Sequence, residues 1–187
     1  MAFPILTVCI GNVCRSPQAE RLLALRLREL GVEAEVSSAG TRALVGRPME
    51  PTSAAELVAR GGDPDGFVAR RLTGGLVAPA ALVLTATQDV RSRVLEEEPG
   101  ALRRTFTLRE FAALCDRLVP GETSAFADPR ELVAEAAAQR GSVALDDPDI
   151  TDPIGRSAET HARVATEIDD AVRVIASALS RSGLADA

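Results

Sequence analysis

The sequence VCIGNVCRSP, residues 8–17, decides how this chain folds. An apolar run rich in strand-forming residues, 3–8, precedes it, and a helical pattern follows it. The stretch therefore predicts a strand that runs into a tight loop, and the loop opens onto the N-terminus of a helix. Unpartnered N–H groups and the helix dipole make such a junction a binding site for anions.

Two side chains predict chemistry at this anion site. Cys9 ends the strand, where the loop N–H groups favour the thiolate form that acts as a nucleophile. Arg15 lies six positions later, so the loop can wrap a tetrahedral anion and close around it with a guanidinium group. Gly11 and Asn12 tolerate the positive φ angles that turn N–H groups inward. The predicted phosphate-binding residues are Ile10, Gly11, Asn12, Val13, Cys14 and Arg15.

The composition narrows the class of protein. A chain of 187 residues suits one domain, 1–187, and its net charge of −6 disfavours nucleic acid as a partner. No apolar run reaches the roughly 18 residues of a membrane span, and no signal peptide is recognisable. The 3 cysteines are too few for a disulfide scaffold. We therefore expect a cytoplasmic protein with no membrane partner.

The remaining pattern alternates strands and helices. We predict further strands at 33–38, 81–86 and 104–108, and helices at 17–30, 51–60, 89–98, 109–118 and 158–179. Ser16 is the predicted N-cap of the first helix. This alternation indicates an α/β fold with a four-stranded parallel sheet and helices on both faces. Residues around 120–145 are expected to form a helical insertion that faces solvent.

Residues 9–20, CIGNVCRSPQAE, closely resemble the signature of the bacterial low-molecular-weight protein tyrosine phosphatases. The resemblance extends from Thr7 to the last helix. It implies a three-layer sandwich with strand order 2-1-3-4 and hydrolysis of phosphotyrosine through a cysteinyl-phosphate intermediate. The expected substrate is a phosphorylated protein or a small aryl phosphate. No metal or other cofactor is expected, and the protein should be a monomer or a weak dimer.

An acid must protonate the leaving oxygen and later activate water. Asp152-Pro153 resembles the Asp-Pro motif whose aspartate is the general acid of the family. Pro153 favours an extended backbone at Asp152, and Gly155 allows a turn. Asp149 is the second candidate for the acid.

Several supporting roles have two interpretations each. Ser38, in the family-like sequence SAGT of residues 38–41, either holds the phosphate loop or is a serine of a strand-end turn. Ser16 either donates to the Cys9 sulfur or caps the helix, and both roles are compatible. Cys14 either traps oxidised Cys9 as a reversible disulfide, as in the family, or is a small buried residue. Cys115 is expected in the core.

His161, the sole histidine, is expected on the surface.

Some residues depart from the family pattern. Phe67 replaces a histidine that belongs to a network bracing the loop asparagine. The aromatic residues that wall the family's cleft are also absent. Residues around Ala43 and Ile154 occupy that neighbourhood, with Leu44 and Met49 as aliphatic substitutes, which predicts a wider or less selective cleft.

Three other functions compete with phosphotyrosine hydrolysis. Related protein-arginine phosphatases carry threonine where this chain has Val13, so Val13 favours phosphotyrosine. Arsenate reduction needs two further cysteines, and only Cys115 lies outside the loop. A non-catalytic phosphate-binding or redox-sensing module would leave Asp152 without a role.

Overall fold

A computed structural model describes residues 3–119 and 126–183 of the chain. Its strands are β1 (Phe3–Cys9), β2 (Ala34–Gly40), β3 (Leu82–Thr85) and β4 (Thr105–Thr107). All of them pair in parallel, in the order β2-β1-β3-β4. The predicted α/β class and the strand order 2-1-3-4 are confirmed.

Helices connect and cover these strands. They are α1 (Arg15–Glu29), α2 (Pro51–Ala59), α3 (Gly74–Val77), α4 (Gln88–Glu97), α5 (Leu108–Leu118), α6 (Pro129–Ala138) and α7 (Ala158–Ser180), with a 3₁₀ helix at Pro99–Arg104. The sequence did not predict α3 or the 3₁₀ helix, because neither is long enough to show a helical period. The predicted start of α1 is also wrong, since Ser16 lies inside the helix and its hydroxyl group serves the site instead.

The alternation of side chains along β1 divides the core into two layers. Phe3 and Ile5 pack in the cluster that contains α1 and α7, whereas Leu6 and Val8 pack in the cluster that contains α4. Because successive strand residues point to opposite faces, Cys9 belongs to the face of Ile5. The strand thus brings the Cys9 side chain to the N-terminus of α1.

Helix α6 is part of the core, so the expected solvent-facing excursion is wrong. Leu132, Val133 and Ala136 are buried in the cluster that contains α5 and α7. Three apolar residues on one face are enough for a short helix to pack against a neighbouring helix, even when alanine dominates its composition. Residues 120–125, at the start of the expected insertion, lie outside the described residues.

The position of β1 explains where a site forms. The carboxyl end of β1 lies between β2 and β3, where the order of connections reverses, and ligands of open α/β sheets bind at such points. Across residues 3–119 and 126–183, no helix has both the length and the apolar character needed to cross a bilayer.

Candidate active site

The Cys9 thiol is buried at the mouth of the loop and lies among hydrogen-bond donors. Its Sγ is 3.0 Å from Ser16 Oγ, and the backbone N–H of Asn12 donates to it over 3.2 Å. Asn12 Nδ2 donates to Ser16 Oγ over 2.9 Å, so the serine proton points either at the sulfur or at the Ala39 carbonyl, which lies 3.4 Å from Ser16 Oγ. Hydrogen-bond donors from the loop and from α1 thus lie within reach of the Cys9 sulfur.

The peptide planes of the loop are oriented by a second segment, 41–50. The carbonyl groups of Cys9, Ile10, Gly11 and Val13 accept hydrogen bonds of 2.9–3.0 Å from the backbone N–H groups of Thr41, Arg42, Leu44 and Glu50. These carbonyl groups therefore point outward, away from the sulfur. Sequence reasoning missed this role, because nothing in the composition of segment 41–50 marks it as a backbone template.

The opposite side of the loop is lined with free donors. Within the described chain, these backbone N–H groups make no hydrogen bond: Ile10, Gly11, Val13, Cys14 and Arg15. Since a buried N–H group without an acceptor is costly, a ring of them beside a cysteine is suited to a tetrahedral oxyanion. The structure thus brings the predicted phosphate-binding residues together around Cys9.

Asn12 holds the loop in shape. Its φ angle is 55°, and it is the only non-glycine residue with positive φ in the described part of the chain. Gly11, which also tolerates a positive φ, does not adopt one. Asn12 is fully buried, with Nδ2 donating to Ser16 Oγ and to Ser38 Oγ over 2.8 Å, and Oδ1 accepting from Arg70 N over 2.8 Å.

Ser38 takes part in this hydrogen-bond network, and Phe67 does not. Ser38 contacts the loop asparagine directly, and Arg70 Nε donates to the Ser38 carbonyl over 2.7 Å. Phe67 packs in the core instead, with the Arg21 guanidinium over its ring. The amide group of the Asn12 side chain therefore has its hydrogen-bond partners without a histidine at position 67.

Glu20 completes this support, and sequence reasoning gave it no role. Burial raises the pKa of Glu20, while a hydrogen bond with the Ser38 side chain opposes that rise. Because Ser38 Oγ already accepts from Asn12, its own proton is directed to the Glu20 carboxyl group. A chain of side chains thus runs from α1 through β2 to the loop.

Gly40 is a second residue that sequence reasoning missed. It pairs with Cys9 across β1 and β2, and a Cβ atom there would lie 2.5 Å from the Ile10 carbonyl oxygen. The same Cβ would lie 2.9 Å from Asn12 N. Only glycine allows this close approach of β2 to the loop, and its place in the family-like sequence SAGT was the available signal.

Arg15 joins the loop to a distant segment. Its Nη1 donates to the Ile150 carbonyl over 2.9 Å, and its Nη2 pairs with Asp152 Oδ2 at 2.6 Å. The Arg15 side chain is 3% exposed and the Asp152 side chain 40% exposed, so the carboxyl group stands at the rim. Arg15 Nε is buried without a partner in the described residues, which leaves one donor of the fork for a ligand.

Asp149, the second candidate for the acid, is engaged elsewhere. Its Oδ1 accepts from Gln88 N, the first residue of α4, over 2.8 Å. A carboxylate in this position stabilises the helix N-terminus. The geometry therefore separates the two aspartates, since only Asp152 contacts Arg15.

The back of the loop contains Cys14, Ser53 and His161, and the expectation that His161 is on the surface is wrong. His161 is buried, and its Nδ1 lies 3.0 Å from Ser53 Oγ. Burial raises the pKa of Cys14 to about 12, with a contribution from Cys9, although a hydrogen bond with Ser53 opposes it. Glu50 lies 3.5 Å from His161 Nδ1. Burial favours a higher pKa for Glu50, but hydrogen bonds from Ser53 and Thr52 and the charge of His161 lower it.

The mouth of the loop is aliphatic. Leu44 and Ile154 are 50% and 45% exposed. Ile154 lies two residues after Asp152, and its Cδ1 atom approaches Gly11. The prediction that Met49 replaces an aromatic residue of the cleft is wrong, because its side chain is buried in the core.

Cys115 is buried in the core as expected. Among the residues that the structure describes, no group of three histidine, cysteine or carboxylate side chains could hold a metal ion.

The fold and this loop together define an α/β protein with a buried cysteine beside a loop of free N–H groups. The profile of the low molecular weight phosphotyrosine protein phosphatases matches residues 4–132. The chain belongs to this family of enzymes. The match ends before Asp152, so the case for that residue comes from its contact with Arg15.

Individual relatives agree with this assignment. A probable low molecular weight protein-tyrosine-phosphatase, EpsP, from Ralstonia nicotianae is 37% identical over 106 residues, which are 57% of this chain and 70% of that protein. The structure of a low molecular weight protein tyrosine phosphatase from T. tengcongensis matches with a TM-score of 0.71 and 25% identity, over 92% of this chain and 97% of that one. The YwlE arginine phosphatase from Geobacillus stearothermophilus matches with a TM-score of 0.70 and 26% identity, over 93% and 90%.

Proposed function

We propose that this enzyme hydrolyses phosphotyrosine in proteins through a cysteinyl-phosphate intermediate. One observation supports this most strongly: the Cys9 sulfur lies within a ring of outward-facing carbonyls and free N–H groups, with Arg15 and Asp152 at its rim. The substrate is a phosphorylated protein or a small aryl phosphate, and no cofactor takes part.

In the first step, the Cys9 thiolate attacks phosphorus in line with the leaving oxygen. The loop N–H groups and the Arg15 guanidinium bind the equatorial oxygens, where negative charge is concentrated. Asp152, in its protonated form, donates a proton to the departing phenolate oxygen. Ser16 and the Asn12 N–H stabilise the sulfur when it is an anion before attack and again when it leaves.

In the second step, the Asp152 carboxylate accepts a proton from water while that water attacks phosphorus. The P–S bond breaks, inorganic phosphate leaves and the Cys9 thiolate is restored. Asp152 suits both steps because it stands at the rim, half open to solvent, and contacts the arginine that holds the phosphoryl group. Asp149 does not fit this role, since its carboxylate is committed to α4.

Phosphoarginine is the second candidate substrate, because the mouth lacks an aromatic wall and the arginine phosphatase YwlE shares the fold. The buried Val13 favours phosphotyrosine. Matched peptides bearing phosphotyrosine or phosphoarginine test this choice by release of inorganic phosphate. We expect a higher kcat/KM for the phosphotyrosine peptide and no turnover of either by Cys9→Ser. A higher value for the phosphoarginine peptide would assign the enzyme to the other substrate class.

We also propose that Cys14 acts as a resolving thiol. After a peroxide converts Cys9 to a sulfenic acid, attack by Cys14 would form a disulfide and release water. Cys14 stays protonated at neutral pH because burial raises its pKa to about 12, so this step should be slow. Iodoacetamide at pH 7 should alkylate Cys9 alone, and bound phosphate should protect Cys9 from alkylation. Peptide mass spectrometry measures the labelling of each cysteine. Rapid labelling of Cys14 in the native protein would contradict a protonated, slowly reacting Cys14.

The proposed enzyme works in the cytoplasm as a monomer or a weak dimer. Three reduced cysteines fit a reducing compartment. A single chain supplies Cys9, Arg15 and Asp152, so catalysis does not need a second copy. Gel filtration at micromolar concentration, compared with the specific activity over a dilution series, checks the oligomeric state.

A further inference from the structure

A charged groove leads away from the catalytic loop on the side of α4. Its first part is a cavity of about 380 Å³ that starts at Ile10 and runs between Arg42 and the α4 residue Asp89. Its second part, about 290 Å³, shares Arg42 with the first and extends to Arg71. We call these two cavities together the α4 groove.

The α4 groove is continuous with the active site. Ile10 follows Cys9 directly, and its side chain is 40% exposed toward the first cavity. The Ile10 carbonyl accepts a hydrogen bond of 2.9 Å from Arg42 N, which fixes the backbone of Arg42 relative to the catalytic loop. A polypeptide whose phosphorylated side chain enters the loop can therefore continue into the groove.

The charges in the groove are not all balanced. Arg93 pairs with Glu96 at 2.8 Å, and Asp89 lies in the first turn of α4, where the helix dipole compensates its charge. Arg42 and Arg71 are exposed, and their side chains make no hydrogen bond or ion pair with the described residues, but the exposed Glu97 lines the second cavity together with Arg71. Arg42 lines both cavities, so a carboxylate in either part of the groove can reach it.

We propose that the α4 groove binds the substrate polypeptide next to its phosphorylated residue, and that Arg42 selects an acidic side chain there. This inference rests on the proposed function. Because an extended chain advances about 3.3 Å per residue, the selected side chain lies within about three residues of the phosphorylated one.

The test uses phosphotyrosine peptides that differ at one position. A single glutamate, or glutamine as its neutral counterpart, is placed at each of about three positions on either side of the phosphotyrosine. We expect the wild-type enzyme to prefer glutamate at one or more positions by about twofold to fivefold in kcat/KM, which is the size of an exposed ion pair. Arg42→Ala should remove that preference, and salt should weaken it.

The controls separate this inference from the proposed function. p-Nitrophenyl phosphate does not reach the groove, so the rate of each variant on this substrate normalises its peptide rates and leaves the glutamate-to-glutamine ratio as the readout. Arg28→Ala removes the same charge from the opposite end of α1 and should keep the glutamate preference. A preference that survives in Arg42→Ala, a preference for glutamine over glutamate, or none at all in the wild-type enzyme overturns the groove proposal. If the wild-type enzyme does not hydrolyse p-nitrophenyl phosphate, the proposed function itself is overturned.

Discussion

The catalytic loop, residues 9–15, and the acid segment, residues 146–155, meet at one site but are built differently. The catalytic loop is buried, and segment 41–50 holds four of its carbonyl groups while three side-chain or backbone partners hold Asn12. The acid segment is half exposed. It is attached through Ile150 N to the Ala86 carbonyl, through Asp149 to α4 and through Asp152 to Arg15.

The difference in burial and contacts between the two segments corresponds to two different requirements of catalysis. An anion-binding loop must be rigid before the anion arrives, because reorganising its N–H groups during the reaction would cost part of the stabilisation. An acid that also activates water must reach solvent, so it lies on a segment with few contacts. We therefore expect changes that disturb the packing of the loop to affect both folding and turnover, and the loss of the Asp152 carboxyl group to affect mainly turnover.

The largest effect is expected for Cys9→Ser. Loss of the nucleophile should lower kcat by more than about 10⁴-fold, in line with other covalent enzymes. The melting temperature should hardly change, because serine fits the same space. Release of phosphate from p-nitrophenyl phosphate measures this effect, and Cys115→Ala serves as a control that should retain turnover. Substantial activity in Cys9→Ser would exclude Cys9 as the nucleophile.

Asp152→Asn should have the next largest effect. Loss of a general acid should lower kcat on phenyl phosphate esters by about 10²–10⁴-fold. The half-exposed pair with Arg15 contributes at most about 1 kcal/mol, so the urea midpoint should move little. Asp149→Asn is the matched control, with a weaker α4 N-terminus and a much smaller effect on kcat. An unchanged rate in Asp152→Asn would assign the acid to another residue.

Gly40→Ala should have an intermediate effect on the catalytic loop. The added Cβ would lie 2.5 Å from the Ile10 carbonyl oxygen, so β2 or the loop must shift. Because misplacement of reacting groups by about 1 Å can cost 10²-fold, we expect kcat/KM to fall by about 10- to 100-fold. Gly75→Ala is the control, since its Cβ would meet only an ordinary contact of 3.8 Å. Equal kinetics in the two variants would show that the close approach is not required.

Leu132→Ala should leave catalysis almost unchanged. Leu132 is fully buried in α6, so its truncation should lower the free energy of unfolding by about 2–5 kcal/mol. Urea unfolding followed by circular dichroism measures this loss, and kcat/KM at 25 °C should stay at the wild-type value. Leu102→Ala, at a half-exposed position, should change neither quantity. A stable Leu132→Ala would mean that α6 does not contribute to the core.

The sequence predicted the residues whose roles are local. Cys9, Asn12 and Arg15 lie within one strand–loop–helix junction, where side-chain type and spacing restrict the geometry directly. The alternation of strands and helices likewise predicted the sheet. The sequence did not show that Gly40 must approach the loop or that His161 is buried behind it, since both depend on contacts between separate elements.

By itself, the sequence determined a thiol, a guanidinium group and free N–H groups at the start of a helix, because these follow from neighbouring residues. Only the tertiary structure decided that segment 41–50 turns the loop carbonyls outward and that Asp152, not Asp149, contacts Arg15. The physical reason is distance along the chain: Arg15 and Asp152 are 137 positions apart, and packing of the whole sheet and its helices brings them to 2.6 Å.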